Sequence, residues 1–259
     1  MLWRLDRRRL RVTLALLLGG LAALSCDAWE RSETAQAVAE HPGNLLANPG
    51  FEAGREAWSY PTHSEFWKDF EIVDSGAHTG RRVAYLRLER DGSSPPMRVE
   101  VHGVVQKLQP EPFPERLGGW YRVERWEKDS KRTALYLQVV VIVWDDPQIA
   151  SIVRSERPIG ELRNYQVRYY LAGLEAPPFE LLNTRFEFVA KTPPKLDVWT
   201  HFEVPLRADF ERLWGVVPQG YDRLQSLFEA RWDHMPEGAG VRADVYYDDL
   251  YLDYGAGSE

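Results

Sequence analysis

The sequence predicts an all-β protein built as an antiparallel β-sandwich, with an inserted segment at about residues 145–185. Three observations predict it. Beyond Asn44 the apolar residues recur with a period of two rather than 3.6. The apolar runs are rich in β-branched and aromatic side chains, which suit a pleated surface. Proline- and glycine-rich stretches, "DGSSPP", "QPEPFPERLGG" and "KTPPK", separate them. Many strands with such connections fit a sandwich better than a parallel sheet. At 259 residues and 44% hydrophobic, the chain has enough apolar material for a substantial core.

The amino-terminal end stands apart from this pattern. Arg4, Arg7, Arg8, Arg9 and Arg11 form a basic start, and Leu14–Leu24 is an apolar run too short for a comfortable membrane span. Residues 1–25 therefore read as an export signal, with a short transmembrane anchor as the alternative. The chain's one cysteine, Cys26, closes this run in "LAALSC". The segment resembles a bacterial lipoprotein box, although Ala23 and Leu24 stand where leucine and a small residue are usual. That resemblance implies lipidation at Cys26 and anchoring at the cell envelope; cleavage after Ala28 is the competing reading. No second cysteine exists to form an intramolecular disulfide. Five Arg against one Asp leave the leader at +4, so the −7 of the whole chain becomes −11 beyond it. Such a surface repels phosphate backbones and argues against nucleic acid as a partner. Residues 26–43 are mostly small and polar and read as a tether, with a short helix over Glu33–Glu40.

The domain is expected over residues 44–255. Asn48-Pro49-Gly50 is a turn that aims the first strand, with Phe51 as a core plug and Trp58 packed beside it. "RRVAYLRLE" alternates Val83 and Tyr85 against Arg82, Ala84, Leu86 and Leu88. In "GGWYRVERW", Trp120, Arg122, Glu124 and Trp126 share one face and Tyr121 and Val123 the other. "TALYLQVVVIVW" is the clearest strand. Leu135, Leu137, Val139, Val141 and Val143 line one side, while Tyr136, Gln138, Val140, Ile142 and Trp144 line the other. The segment from Asp145 to Pro178 is too long for a hairpin, and its "NYQVRYYL" reads as an added strand pair. Its Tyr165, Tyr169 and Tyr170 wall a cleft, bind a partner or cover a sheet edge. "TRFEFVA", "THFEVPL", "LQSLFEARW" and "RADVYYDDLYL" complete the strands, with one helical turn at Ala208–Trp214.

Four stretches in order carry a resemblance: "NLLANPGFEAGREAW", His78-Thr79-Gly80, "VWTHFEVPL" and Asp248-Asp249-Leu250. This arrangement resembles the carbohydrate-binding modules of families 4, 9 and 22, which have a galactose-binding-like jelly roll. It spans about Asn44–Tyr254, and the chain departs from it by extra length between Trp144 and Phe186. The resemblance implies that the two ends of the sandwich lie side by side. It also implies a structural calcium held by Glu52 and Asp248, with carbonyls near Gly80–Arg82. Two carboxylates from opposite chain ends would repel without a cation. Asp249 is expected to point outward by strand alternation, and His78 to be a turn residue.

Sugar rings stack on aromatic faces while polar side chains meet their hydroxyls. Trp120, Arg122, Glu124 and Trp126, with Tyr136 and Gln138 on the next strand, are the candidate floor of a glycan cleft. The expected function is non-catalytic binding of a polysaccharide. A structural lipoprotein that docks an envelope protein is the alternative, and a polysaccharide-active enzyme comes third. Glu124 has no partner carboxylate at a readable spacing. The chain contains no phosphate loop, nucleophile elbow or paired-histidine metal motif.

Overall fold

The computed structural model describes residues 41, 43–61, 65–93, 97–153, 163–179 and 181–255. The chain divides into Met1–Pro42 and Gly43–Glu259, and the fold is that of the second unit. The expected leader, the Cys26 lipid site and the tether up to residue 40 lie outside the described residues.

Eleven strands are described: β1 (Trp67–Lys68), β2 (Glu71–Val73), β3 (Val83–Arg90), β4 (Met97–Leu108), β5 (Arg116–Lys128), β6 (Ala134–Trp144), β7 (Asn164–Ala172), β8 (Thr184–Phe188), β9 (Thr200–Val204), β10 (Arg223–Met235) and β11 (Val241–Asp253). They form two sheets, in the orders β1-β4-β10-β6-β7-β8 and β2-β3-β11-β5-β9. Pairing is antiparallel except at β1–β4 and β7–β8, which are parallel. The fold is thus the expected all-β sandwich.

The core lies between the sheets. Val104, Val139, Phe228 and Trp232 come from one, and Leu86, Val123, Val245 and Tyr247 from the other, all within one apolar cluster. β6 shows how its sequence dictates its place. Leu135 through Val143, taken at odd positions, enter the core. Val140 and Ile142 join Val105, Leu227 and Trp67 in a separate apolar strip on the sheet's outer face.

The inserted segment contributes one strand to the sheet rather than a pair. β7 pairs with β6 along its length, and β8 then runs parallel beside β7. Tyr165 and Tyr169 are fully buried core residues. Tyr170 takes the opposite face, opposite Gln138. A single helical turn, α1 (Ile149–Ile152), follows β6. The expected helical turn near the carboxyl third is α2 (Leu206–Trp214). Its Phe210 and Trp214 meet Tyr165 at ring separations of 5.8 and 5.3 Å, which closes one end of the core. Gly215 stops it in the left-handed conformation, returning its N–H to Glu211 O.

The two chain ends do lie together. Leu45 N donates to Leu252 O at 2.7 Å, and Asn44 exchanges hydrogen bonds with Leu250 and Leu252. Residues 44–58, however, form turns and not a strand. Asn48 organises them, since its side chain accepts from Ala53 N and donates to Gly54 O and Glu56 O. Asn48 and Phe51 both have positive φ, which breaks extension. Phe51 is fully buried with its ring 5.0 Å from Trp58, as expected.

Candidate functional site

The turn at residues 78–82 is where the calcium expectation is tested. Glu52 Oε1 accepts from Arg81 N and Arg82 N, both at 2.8 Å, and Arg82 Nη1 donates to Glu52 O. Asp248 Oδ2 accepts from His78 N at 2.7 Å and Oδ1 from Asp249 N at 2.9 Å. The two carboxylates therefore grip the two halves of one turn through N–H donors. Gly80 permits this, with φ +67 and no side chain where a Cβ would collide with Glu52. A cation needs oxygens turned towards it, whereas Glu52 Oε1 and both Asp248 oxygens face N–H hydrogens, so in this arrangement those three oxygens serve the turn. The repulsion argument fails for the same reason: N–H groups supply the positive charge. Among the described residues no group of three metal-binding side chains converges. Burial, with Asp249 alongside, pushes the Asp248 carboxyl well above the ordinary range, and the backbone N–H groups of His78, Asp249 and Thr79 pull against it. Asp249 does not point outward. Its positive φ turns it onto the same turn, where it meets His78 Nδ1 at 2.7 Å and Thr79 Oγ1 at 2.8 Å.

The six candidate glycan residues do not form one floor. β5 and β6 are consecutive in sequence but belong to different sheets. Trp120, Arg122 and Glu124 lie on the outer face of the five-stranded sheet, and Tyr136 and Gln138 on the outer face of the other. Trp126 leaves its expected face altogether. A β-bulge opposite Asp244–Val245 inserts one residue into β5, so Trp126 turns to pack against the core.

On the five-stranded sheet the aromatic rings already have neighbours. Trp120 stacks on His78 at 4.1 Å and 19°, with His201 5.0 Å away. Tyr246 stacks on Tyr85 at 5.0 Å, while Arg122 lies 4.6 Å from its centroid and 5.4 Å from that of Trp199. Arg122 also pairs with Glu124 at 2.8 Å, and Glu124 accepts from Tyr246. Burial and that bond push the Tyr246 phenol up to about 12. Each ring of this ladder meets another member on one face, while Arg122 Nε is left without a hydrogen-bond partner.

The six-stranded sheet carries a buried polar cluster. Glu229 of β10 sits between Gln138 of β6 and Gly103 of β4. It is 1% exposed, and its Oε2 accepts from Gln138 Nε2. Burial pushes its carboxyl up, while Arg168 and Arg231 pull it down. One step along β10, Arg231 pairs with Asp233 at 2.9 Å, and Tyr136 donates to Asp233. Three polar atoms of this cluster are shut from solvent without a hydrogen-bond partner: Gln138 Oε1, Arg168 Nη1 and Tyr170 OH. Gly103 makes room for the Glu229 side chain, whose Cγ would lie 3.2 Å from a Cβ there. Phe179 lies against two members of the cluster, with Arg168 and Arg231 at 5.2 and 5.4 Å from its centroid.

Of the sequence candidates, this cluster contains Tyr136 and Gln138. It also contains Tyr170, which the sequence offered as a cleft wall, whereas sequence reasoning missed Arg168, Glu229, Arg231 and Asp233. The signal was available in "LQSLFEARWD", where Glu229, Arg231 and Asp233 alternate with the core residues Phe228, Ala230 and Trp232.

No protein-family model matches the chain, and no curated protein matches it. Among solved structures, it is similar to TmCBM61 in complex with β-1,4-galactotriose, at 15% identity and TM-score 0.40, over 82% of this chain and 99% of that one. It is similar to a non-crystalline cellulose-specific carbohydrate-binding module, CBM28, at 12% identity and TM-score 0.40, over 82% and 97%. It is also similar to SGBP-B, from a complex xyloglucan utilization locus in Bacteroides uniformis, at 12% identity and TM-score 0.35, over 82% and 50%.

Proposed function

We propose that this chain is a non-catalytic glycan-binding protein whose ligand lies across the outer face of the six-stranded sheet, above Gln138, Arg168 and Glu229. One observation carries the reading: Gln138 Oε1, Arg168 Nη1 and Tyr170 OH are buried on neighbouring strands with nothing to bond. They offer both donor and acceptor character beside aromatic rings. A polyhydroxylated ring presents both kinds of partner within one small, partly apolar body, and a buried polar atom gains most from finding one. The whole chain should be retarded in affinity electrophoresis by at least one member of a neutral and acidic polysaccharide panel. Glu229→Gln and Arg168→Met should each abolish that retardation. Migration unchanged on every polysaccharide would sink the reading, as would retention by both variants.

Glu229, a carboxyl raised by burial, also invites an enzymatic reading as a general acid. Its nearest counterpart on the same strand face is Asp233, four residues on and thus roughly 13 Å away. That exceeds the separation of about 5–9.5 Å that glycoside hydrolysis uses. Asp233 is moreover committed to Arg231 and Tyr136. Binding is therefore the stronger reading. With it goes export and anchoring at the cell envelope through a lipid on Cys26, supported by the basic start and apolar run that precede it.

A further inference from the structure

We infer that Phe179 is a removable cap whose ring lies where a sugar ring would sit above Arg168 and Arg231. The inference rests on the glycan-binding reading of this face. Beneath the ring lie the guanidinium groups of Arg168 and Arg231, and Arg168 Nη1 has no partner. A phenyl ring excludes water from them and supplies no polar atom in exchange. A sugar ring of similar size would bring hydroxyls to the same place, so replacing the phenyl group recovers hydrogen bonds that the capped arrangement forgoes.

Among the described residues the ring meets the two guanidinium groups already described and, edge-on, Phe186 at 5.7 Å. Such contacts are individually weak, so a ligand can displace them. The loop that carries Phe179 is exposed at Glu175–Pro177. Its near end is fixed. Gly173 donates to Thr192 O at 2.9 Å and holds φ +95, with no room for a Cβ against Leu135 O. The swinging part therefore begins after Gly173, and Pro177-Pro178 stiffens the arm that bears the ring.

The test uses the full chain as wild type, Phe179→Ala and Phe179→Leu. The first measurement involves no glycan: phenylglyoxal labelling of Arg168, read by peptide mass mapping. Uncapping should speed labelling in Phe179→Ala, with Phe179→Leu between the two. The second is retardation on the polysaccharide that best retains wild type. If the open form is about a tenth of the wild-type population, Phe179→Ala should bind about tenfold more tightly. Unchanged labelling would show that the ring is not the cover and overturn the inference. Faster labelling with weaker binding would make Phe179 a stacking platform, overturning the cap while leaving glycan binding intact. Faster labelling with no polysaccharide bound by any variant would remove the glycan reading and the inference with it.

Discussion

Replacing Glu52 by alanine separates two accounts of how the chain ends are joined. The carboxylate accepts from Arg81 N and Arg82 N at 2.8 Å each. A hydrogen bond to a charged group contributes about 1.5–3 kcal/mol when sheltered. The Arg81 bond is exposed and the Arg82 bond only partly buried, so water recovers much of each. About 1 kcal/mol per bond gives about 2 kcal/mol for Glu52→Ala. At roughly 2–4 °C per kcal/mol for a domain of this size, Tm should fall by about 4–8 °C. Glu52→Gln keeps a neutral acceptor and should lose about half as much. If N–H donors suffice to hold the turn, excess chelator should leave wild-type Tm where it was. Differential scanning fluorimetry of the three proteins with and without EDTA reads all of this. A chelator-induced drop in wild type as large as that of Glu52→Ala would refute the reasoning and restore calcium.

The remaining predictions concern other parts of the chain. Asp248 has a raised carboxyl in the folded state, so its stabilising contribution is present below the unfolded value of about 3.9 and is lost as pH rises through the folded one. Asp248→Asn lacks that loss, so urea titrations between pH 4 and 8 should show wild type losing ground to the variant as pH increases; parallel curves would contradict it. Trp120→Ala removes the stack on His78 and should cost about 1–2 kcal/mol in stability while leaving glycan retardation intact. Loss of retardation in a folded Trp120→Ala would move the site to the other sheet. Cys26→Ser should release the protein from membranes on fractionation, and continued partitioning would indicate a hydrophobic anchor.

Much of the architecture was legible because period two is a strong signal where β-branched residues alternate. Both faces of β6 were readable residue by residue, from Leu135 in the core to Trp144 outside. What failed were the places where local backbone geometry departs from a regular strand. The bulge in β5 turns Trp126 inward, and no composition cue marks it. The left-handed Asp249 reverses its side chain within a strand whose pattern looks regular. Asn48 replaces an expected strand with a knot of side-chain hydrogen bonds. The largest error was topological. Consecutive strands are usually neighbours, but the β5–β6 connection passes from one sheet to the other, which places Trp120 and Gln138 on opposite exteriors.

The polar cluster around Glu229 has no obvious origin in stability. On the same sheet face, one step along each strand, Val105, Val140 and Leu227 pack as an apolar strip. The fold therefore accepts hydrocarbon there, and buried charges are seldom more stabilising than well-packed apolar residues. Were the cluster a structural network, its members should be mutually satisfied, as Arg231, Asp233 and Tyr136 are. Instead Gln138 Oε1, Arg168 Nη1 and Tyr170 OH are left unpaired. The ladder of Tyr85, Tyr246, Arg122 and Trp199 has one such atom, Arg122 Nε, against three in the Glu229 cluster, and its ring faces meet other members of the ladder. An unsatisfied arrangement costs folding free energy that only a further partner can return, so the ligand is expected over Glu229 and not over Trp120.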